Sequence, residues 1–482
     1  MEIFYAMSMS FQEWAFVVFA VVYAITVFSI IGVVISENRN PVKSLAWITV
    51  LLLLPIIGVG LYVFFGRSMK SKRLISNKNK KKLLRMEPFK IIDETKLPLS
   101  LECRQEVKLA MSLTGARYFP GNEIDIFTDC PKLFEQFKRD ISNARKYINI
   151  QFYIFEDDKL GHEIRDLLVA KAQEGVKVRV IYDHVGSFKA KESFFADMRA
   201  NGVMALPFMK VTFPQLATRI NWRNHRKISI IDGELGYIGG MNIADRYVEG
   251  LSFGPWRDTH LRVKGPAVAG LQYNFAVDWN FMGQPLLTES TKLRKVNDDE
   301  EVGVQLVSSG PTSQWGNILM LFLKIIGNAK KRIYIQTPYF LPTESLLKTL
   351  QAAALAKVDV RIMIPRKSDS SMLRLASFSY VSECIRAGIK IYLYNKGMLH
   401  AKTLLVDDEF CTTGSTNFDF RSFEHNFECN ILIYNTSVNK RMADIFMADQ
   451  RDCLRVLPSI WRNRPVYEKC CESVVRLLSP VL

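Results

Sequence analysis

A short motif that occurs twice, with the same internal spacing, constrains the fold of this chain most strongly. Residues 225–232 read His-Arg-Lys-Ile-Ser-Ile-Ile-Asp, and residues 400–407 read His-Ala-Lys-Thr-Leu-Leu-Val-Asp. In both copies an Asn follows the His by 17 residues (225 to 242 and 400 to 417). A single His-x-Lys on a strand is a weak signal. Two copies, each followed by an Asp and an Asn at the same spacing, indicate that the body of the chain is duplicated.

The segments around the motif also repeat, and they predict an α/β fold. Short β-branched runs alternate with helical periods at residues 147–155, 161–175 and 176–182, and again at 332–339, 345–356 and 358–364. The first strands of the two copies align with an offset of 185 (146 to 331), and the second strands with an offset of 182 (178 to 360). Apolar strands that alternate with helices are typical of parallel or mixed sheets covered by helices. We therefore expect two β-α-β-α sheet units.

Two long uncharged segments precede the duplicated body. Residues 14–35 contain no formal charge over 22 positions, and residues 44–66 contain none over 23. Because about 20 apolar residues span the core of a bilayer, the sequence predicts two transmembrane helices. A cleaved signal peptide is a poorer interpretation, since no Lys or Arg precedes Trp14 and the apolar run is too long.

Positive charges around these segments predict the orientation of the chain. The connection between them holds only Arg39 and Lys43, whereas nine Lys and Arg residues lie within residues 67–85. An excess of Lys and Arg marks cytoplasmic flanks. We therefore expect a multi-pass protein of the plasma membrane or inner membrane with its large C-terminal part in the cytoplasm. The basic run is also expected to bind an anionic leaflet.

The composition excludes a disordered or coiled-coil chain and indicates an anionic partner. Hydrophobic residues make up 48% and charged residues 23% of the 482 positions, as in ordinary folded proteins. The 64 Lys and Arg exceed the 48 Asp and Glu by 16, which attracts either an acidic membrane surface or a nucleic acid. We expect four segments: a membrane anchor at 1–66, a basic juxtamembrane linker at 67–110, and two halves of the body at 111–310 and 311–482.

The doubled set of His, Lys and Asn side chains suits chemistry on a phosphodiester. One neutral imidazole, of His225 or His400, can attack phosphorus while the other protonates the leaving alcohol. Ammonium and amide groups can hold the non-bridging oxygens, where negative charge concentrates. These groups belong to Lys227, Lys402, Asn242 and Asn417. Asp and Glu clusters of the kind that hold magnesium are absent near the motifs, so neither a metal nor another cofactor is predicted.

Two carboxylates downstream of the motifs are candidates to orient the histidines, because a nucleophilic imidazole needs an acceptor for its second nitrogen. Asp258 and Glu428 lie in matching places, 33 and 28 residues after their His (225 to 258 and 400 to 428). Asp232 and Asp407, at the ends of the motifs, are expected to act less directly, as structural acceptors at the end of a strand. The four histidines outside the motifs have no repeat partner and are interpreted as incidental.

At these residues the doubled motif resembles the phospholipase D superfamily, and the chain from about residue 11 onwards resembles the bacterial cardiolipin synthases within it. The stretches that support the narrower resemblance are residues 40–47, 153–158, 182–187, 256–260, 337–340 and 477–482. The resemblance implies that the two sheet units share one active site. One departure is Ser415, where the first half has Gly240, and small residues suit both places.

The resemblance further implies a phosphatidyl transfer between two lipids. One phosphatidylglycerol would give its phosphatidyl group to a His, glycerol would leave, and a second phosphatidylglycerol would accept the group to yield cardiolipin. The active-site residues implied by the motif match are His225, Lys227, Asp232, His400, Lys402 and Asp407, with Asn242 and Asn417 as phosphate contacts. The implied partners are the anionic substrate and the membrane, without a nucleic acid.

Three alternatives stay open at this point. A membrane-tethered phosphodiesterase, either a nuclease or a hydrolytic phospholipase, would use the same motif, because water and a lipid hydroxyl require the same two histidines. An inactive membrane scaffold would be indicated by loss of a motif His or Lys, and all four are present. The motif does not determine which His is the nucleophile, although we favour His225.

Overall fold

The computed structural model describes residues 11–36, 41–54, 56–66, 69, 73–86, 93–211, 221–287, 289, 291 and 302–479. The chain forms two compact units. The first comprises residues 1–69 and 211–221, and the second comprises residues 70–210 and 222–482.

The first unit contains the apolar N-terminal helices. Helix α1 (Phe11–Ser36) is the helix among the described residues that is long and apolar enough to cross a membrane, and most of its side chains are exposed. The second apolar segment forms the shorter helices α2 (Pro41–Leu53) and α3 (Ile57–Leu61), followed by a π-helical turn (Tyr62–Gly66). Pro55 falls between α2 and α3 in the sequence, and a proline cannot continue the hydrogen bonds of a helix. Among the described residues, the structure thus has one helix of spanning length where the sequence predicts two.

The second unit alternates strands and helices. Its helices are α4 (Asn77–Met86), α5 (Leu101–Thr114), α6 (Cys130–Ser142), α7 (Lys159–Gln173), α8 (Glu192–Ala200), α9 (Asp245–Glu249), α10 (Val268–Phe281), α11 (Asn317–Asn328), α12 (Glu344–Leu355), α13 (Ser371–Ser379), α14 (Val381–Arg386), α15 (Phe420–Glu424), α16 (Thr436–Arg451), α17 (Pro458–Arg462) and α18 (Val466–Arg476), with a 3₁₀ turn at Glu94–Lys96.

Its strands are β1 (Tyr118–Asp129), β2 (Tyr147–Phe152), β3 (Lys177–Asp183), β4 (Met204–Phe208), β5 (Ile228–Ile231), β6 (Leu235–Gly239), β7 (Trp256–Lys264), β8 (Val302–Ser309), β9 (Arg332–Gln336), β10 (Phe340–Leu341), β11 (Asp359–Pro365), β12 (Lys390–Tyr394), β13 (Met398–Leu399), β14 (Thr403–Val406), β15 (Phe410–Gly414), β16 (Phe418–Asp419), β17 (Glu428–Tyr434) and β18 (Cys453–Arg455).

The local sequence explains these elements. All six residues of β2 are buried, as expected in a sheet covered on both faces. Its two amides, Asn149 and Gln151, donate to Gln272 and Asp278. Helix α7 begins after Asp158, whose carboxylate accepts the N–H of Gly161 at 2.9 Å, and α12 begins after Thr343, whose hydroxyl accepts the N–H of Leu346. Such side chains satisfy the free N–H groups of a first helical turn. The strands and helices expected around the motifs are present.

The strand order of the large sheet confirms the duplication. It runs β4-β3-β2-β5-β6-β7-β1 through the first half and continues β8-β17-β15-β14-β9-β11-β12 through the second, with β18 at the edge. Read outwards from the central β1–β8 pair, the two orders are equivalent, so that β7 corresponds to β17, and β5 to β14. The strand β8 thus occupies the place in the second half that β1 occupies in the first.

The segment that carries each motif His crosses to the other half of the sheet. Backbone hydrogen bonds join His225 N–H to the carbonyl of Phe427 at 2.9 Å and His400 N–H to the carbonyl of Arg257 at 2.7 Å. The second crossing continues as a parallel pair between β13 and β7. His225 consequently lies beside β17, which begins with Glu428. His400 lies beside β7, which contains Asp258.

Candidate active site

The two motif histidines lie in the interior of the second unit, just before β5 and β14. His225 is 8% and His400 6% exposed, and Lys227 and Lys402 are each 1% exposed. The strands that follow, β5 and β14, are buried along their whole length. A site this enclosed keeps bulk water away from charged groups and strengthens their interactions.

The carboxylates bind the histidines crosswise between the halves. His225 Nδ1 lies 3.0 and 3.1 Å from the two carboxylate oxygens of Glu428, and His400 Nδ1 lies 2.6 Å from Asp258 Oδ2. The sequence placed each carboxylate with the His of its own half, and that pairing is wrong. The crossing of the His segments onto β17 and β7 is the reason, and it depends on the order of strands rather than on spacing along the chain.

Both carboxylates are ionised acceptors, which fixes the state of the imidazoles. Burial opposes ionisation of Asp258, but Lys402 and His400 outweigh it and lower the pKa of that carboxyl. Burial likewise opposes ionisation of Glu428, and His225 and Lys227 outweigh it and lower its pKa. Each Nδ1 therefore carries the hydrogen, so each Nε2 is the atom available for chemistry.

The lysines differ between the halves. Lys227 Nζ donates to the carbonyl of His225 at 2.5 Å and lies 5.4 Å from the ring centre of Tyr153. Lys402 Nζ donates to the carbonyl of His400 and also lies against the imidazole, 2.9 Å from His400 Nδ1 and 3.2 Å from Nε2. Burial lowers the pKa of both ammonium groups. Burial, followed by the charge of Lys402, also lowers the pKa of His400 to about 4.

Aromatic rings form the walls around the imidazoles. The ring centre of Tyr153 lies 4.9 Å from that of His225, edge-on. The rings of Trp256 and Tyr247 lie 5.0 and 5.9 Å from His400. These rings hold the imidazoles in place and exclude water from their faces.

Gly240 and Ser415 are small for different reasons. A Cβ on Gly240 would lie 2.1 Å from Asp258 Oδ1, so the short carboxylate occupies the space of a side chain. Ser415 instead donates its hydroxyl to Glu428 Oε2. The first half therefore has Gly240 because Asp258 fills the space beside it, and the second half has Ser415 because its hydroxyl binds Glu428.

The two motif asparagines are held by protein groups. Asn242 Oδ1 accepts the N–H of Ile154 at 3.1 Å, and its Nδ2 donates to the Tyr247 hydroxyl at 2.5 Å. Asn417 Nδ2 donates to Asp419 at 2.9 Å, and its Oδ1 has no hydrogen-bond partner. Both are buried, and their contact with a phosphate stays a prediction.

Asp232 and Asp407 lie at the far ends of β5 and β14, away from the histidines. The carboxylate of Asp232 accepts the backbone N–H groups of residues 145–147 at 2.7–3.0 Å, and that of Asp407 accepts those of residues 330–332 at 2.7–3.2 Å. Each Asp follows its His by seven residues, which corresponds to about 23 Å along an extended segment. The expected place of both residues in the active site is not what the structure shows, whereas the expectation of structural acceptors at a strand end matches these contacts.

Arg223 is a buried residue near the site that the sequence analysis missed. It lies two residues before His225, so that Arg223, His225 and Lys227 alternate along one segment. That alternation was the available signal, because residues two apart on an extended segment face the same way. Within the described part of the chain, no group of three or more His, Cys, Asp or Glu side chains is placed to bind a metal. Independence from metals and other cofactors stays a prediction.

Comparison with known proteins places this geometry in a family. The family described as "Cardiolipin synthase, PLD-like domain" matches residues 137–262 and 322–450, and "Phospholipase_D-nuclease N-terminal" matches residues 14–67. A cardiolipin synthase of Listeria monocytogenes is 39% identical over 93% of this chain and 95% of its own length. The major cardiolipin synthase of Bacillus subtilis is 38% identical over 93% of this chain and 96% of its own length.

A solved structure shares the fold. The phosphatidylserine synthase of Haemophilus influenzae superposes with a TM-score of 0.59 at 14% identity, covering 78% of this chain and 99% of that one. The matched residues of the family include both motifs, and the matched relatives extend over nearly the whole chain. The chain belongs to the cardiolipin synthase family of phospholipase D-like proteins.

Proposed function

We propose that the protein is a cardiolipin synthase that transfers the phosphatidyl group of one phosphatidylglycerol to another and releases glycerol. The observation that carries this proposal is the pair of buried histidines, each held at Nδ1 by an ionised carboxylate of the opposite half. This arrangement supplies a nucleophile and a proton carrier on either side of one phosphodiester. The cardiolipin synthases to which the chain is 38–39% identical support the choice of substrate.

In the first step His225 is the nucleophile. Its Nε2 attacks phosphorus, the P–N bond forms, and the P–O bond to glycerol breaks. His400 enters this step as the imidazolium that Asp258 stabilises, and it donates its Nε2 proton to the departing glycerol oxygen. Lys402 Nζ lies against the His400 imidazole, 2.9 Å from Nδ1 and 3.2 Å from Nε2, so this ring is partly engaged, and we take His225 as the nucleophile.

In the second step the roles reverse around the phosphohistidine. The primary hydroxyl of the second phosphatidylglycerol gives its proton to His400, its oxygen bonds to phosphorus, and the P–N bond to His225 breaks. Lys227 and Lys402 stabilise the charge that develops on the non-bridging oxygens. Glu428 and Asp258 hold the imidazoles and stabilise each one when it is positive.

The N-terminal part attaches the enzyme to its substrate membrane. Helix α1 crosses the bilayer, and α2 with α3 supplies the second crossing of a multi-pass anchor. The unequal numbers of Lys and Arg on the two flanks favour a cytoplasmic body. The cytoplasmic leaflet is anionic, which suits a chain with an excess of 16 positive residues.

A product analysis tests the proposal. The purified full-length protein is mixed with phosphatidylglycerol in micelles, and cardiolipin, glycerol and phosphatidic acid are measured together. We expect cardiolipin and glycerol in equal amounts, with cardiolipin exceeding phosphatidic acid. Predominant phosphatidic acid would instead establish a hydrolytic phospholipase.

A substrate with a good leaving group tests the roles of the histidines. Phosphatidyl-p-nitrophenol needs no proton from an acid to lose nitrophenolate. His400→Ala should therefore release one equivalent in a burst and then stall, whereas His225→Ala should release none. With phosphatidylglycerol both variants should lose activity by at least the roughly 10²- to 10⁴-fold that acid–base catalysis contributes. A burst from His225→Ala would reverse the assignment, and normal turnover by either variant would refute the two-histidine mechanism.

A further inference from the structure

The mechanism above leaves one buried cation beside His225 without a task. Arg223 is 2% exposed and lies on the same face of its segment as His225, because a β-bridge at Asn224 holds the segment extended. Its Nη1 lies 3.4 Å from Asp183, while its Nε and Nη2 have no hydrogen-bond partner. A guanidinium offers five N–H donors, and burying them unpaired is unfavourable. Such a group is poised for an anion.

Asp183 does not pair with all the N–H donors of the Arg223 guanidinium. Its carboxylate accepts the N–H groups of Val185, Gly186 and Asn224 at 3.0, 2.8 and 2.8 Å. The contact of 3.4 Å with Arg223 is long for a charge-assisted hydrogen bond, which is normally about 2.7–2.9 Å. The Asp183 carboxylate therefore balances the charge of Arg223 but leaves the Nε and Nη2 donors of the guanidinium unpaired.

The surroundings of Arg223 connect it to the reacting centre. Burial lowers the pKa of Arg223, Asp183 opposes that effect, and the positive charge of Arg421 adds to it. Burial and Asp183 raise the pKa of Tyr153 to about 12 against the opposing charges of Arg421 and Arg223. Since the Tyr153 ring lies 4.9 Å from His225, the charge of Arg223 acts on the His225 side of the site.

The duplication distinguishes Arg223 from the groups expected to serve the central phosphate. Groups that serve the central phosphorus occur in both halves, as His, Lys and Asn do. Arg223 has no such counterpart, because the residue two positions before His400 is Met398, which is buried and apolar. A cation present on one side only fits a second anion that is bound on that side only.

We propose that Arg223 binds the phosphodiester of the acceptor phosphatidylglycerol and thereby selects a lipid over water in the second step. The inference rests on the proposed function. In that step the acceptor hydroxyl attacks the phosphohistidine, and the acceptor's own phosphate lies one glycerol unit away. The head group that departs in the first step is uncharged glycerol and has no anion for Arg223.

Acceptors with and without a phosphate test the proposal. Labelled glycerol can replace the head group of phosphatidylglycerol through the same phosphohistidine, and this exchange involves no second phosphate. In Arg223→Met, which copies the residue of the second half, cardiolipin formation should fall about 10- to 100-fold more than glycerol exchange, the range of a lost charge-assisted hydrogen bond. The ratio of phosphatidic acid to cardiolipin should rise correspondingly.

Two further variants separate binding from folding. Arg223→Lys keeps a cation and should recover part of the cardiolipin activity. The double variant Asp183→Asn with Arg223→Met leaves no unpaired carboxylate and should show the same selective loss. An equal loss of exchange and cardiolipin formation in the double variant, at unchanged thermal stability, would overturn the proposal. If the wild-type protein exchanges glycerol but forms only phosphatidic acid, the proposed function fails instead.

Discussion

Gly240 and Ser415 occupy equivalent places next to the two orienting carboxylates, and we predict that exchanging them has unequal effects. Gly240→Ser introduces a Cβ within 2.1 Å of Asp258 Oδ1, and the carboxylate must then move away from His400. We expect kcat to fall by at least about 100-fold, because an orienting carboxylate in the wrong place costs several kcal/mol.

The reverse substitution is the matched control. Ser415→Gly removes one hydroxyl that donates to Glu428 and introduces no clash. The loss of such a hydrogen bond to a charged group corresponds to about 1.5–3 kcal/mol, so kcat should fall about 10- to 100-fold with His225 still in place. Steady-state kinetics of both variants at saturating lipid provide the comparison, and equal losses would contradict the different roles given to the two positions.

His260 predicts a pH dependence of stability. It is 2% exposed, and burial lowers its pKa to about 3, with Asp258 opposing and Lys227 assisting the shift. The unfolded His titrates near 6.5, so between about pH 6.5 and 3 the unfolded state binds the extra proton. The contribution to stability is complete above pH 6.5 and is lost as the pH falls.

A variant without a titrating ring isolates this effect. His260→Phe should reduce the slope of unfolding free energy against pH by about 1.4 kcal/mol per unit between pH 6 and 4, the value for one proton. Denaturant unfolding of the full-length protein in detergent at several pH values measures the slope. His225 and His400 stay in place and keep their share of the acid sensitivity, so an unchanged slope would show that His260 is not the group that titrates.

At the scale of the elements, Asp232 and Asp407 fix the junctions between neighbouring strands. Each has a positive φ, 54° and 49°, and accepts three backbone N–H groups at the start of β2 or β9. Asp232→Ala removes these hydrogen bonds. It also puts at a positive φ a residue that tolerates this conformation less well than Asp, so we expect the free energy of unfolding to fall by about 3 kcal/mol. Asp232→Asn should cost about 1 kcal/mol, because Asn accepts hydrogen bonds and tolerates the left-handed region.

Stability and activity distinguish a structural from a catalytic role for these residues. Thermal unfolding should show the loss in Asp232→Ala, while kcat per folded molecule should change less than threefold. The matching substitution Asp407→Ala should behave alike, since the two junctions are equivalent. A large loss of kcat at unchanged unfolding temperature would restore both aspartates to the catalytic machinery.

The sequence predicts where individual strands and helices lie better than it predicts which of them contact one another. Strands such as β2 and β3 could be located because apolar runs and helical periods alternate there. The pairing of His225 with Glu428 could not, because it depends on a crossing between halves that are far apart in sequence. Arg223 was detectable from its alternation with His225 and Lys227, but the donors it leaves unpaired become visible only in three dimensions.

The boundaries of helices and of the two halves are also difficult to predict from the sequence. The second apolar segment reads as one continuous span, whereas the structure has the two shorter helices α2 and α3 there. The expected division of the body after residue 310 leaves β8 in the first half. Since β8 takes the place of β1 in the strand order, we propose that the second half begins before Val302.

At the scale of the whole molecule, the enzyme and its substrate share one surface, the membrane. Helix α4 presents exposed lysines next to the buried Leu83; they are Lys78, Lys80, Lys81 and Lys82. A Lys near an anionic leaflet contributes about 1 kcal/mol of attraction, and the attraction weakens with salt. We therefore expect this helix to raise the local concentration of phosphatidylglycerol around the enzyme.

Neutralising these four lysines should affect binding and leave chemistry intact. We expect the quadruple Gln variant to raise the apparent KM for phosphatidylglycerol at least tenfold in low salt, with kcat changing less than twofold. Raising the ionic strength should raise the KM of the wild type towards that of the variant, because screening removes the same attraction. Initial rates on vesicles of graded phosphatidylglycerol content measure both constants. A loss of kcat at saturating lipid would show instead that α4 forms part of the catalytic structure, since attraction to the surface no longer limits the rate once lipid is in excess.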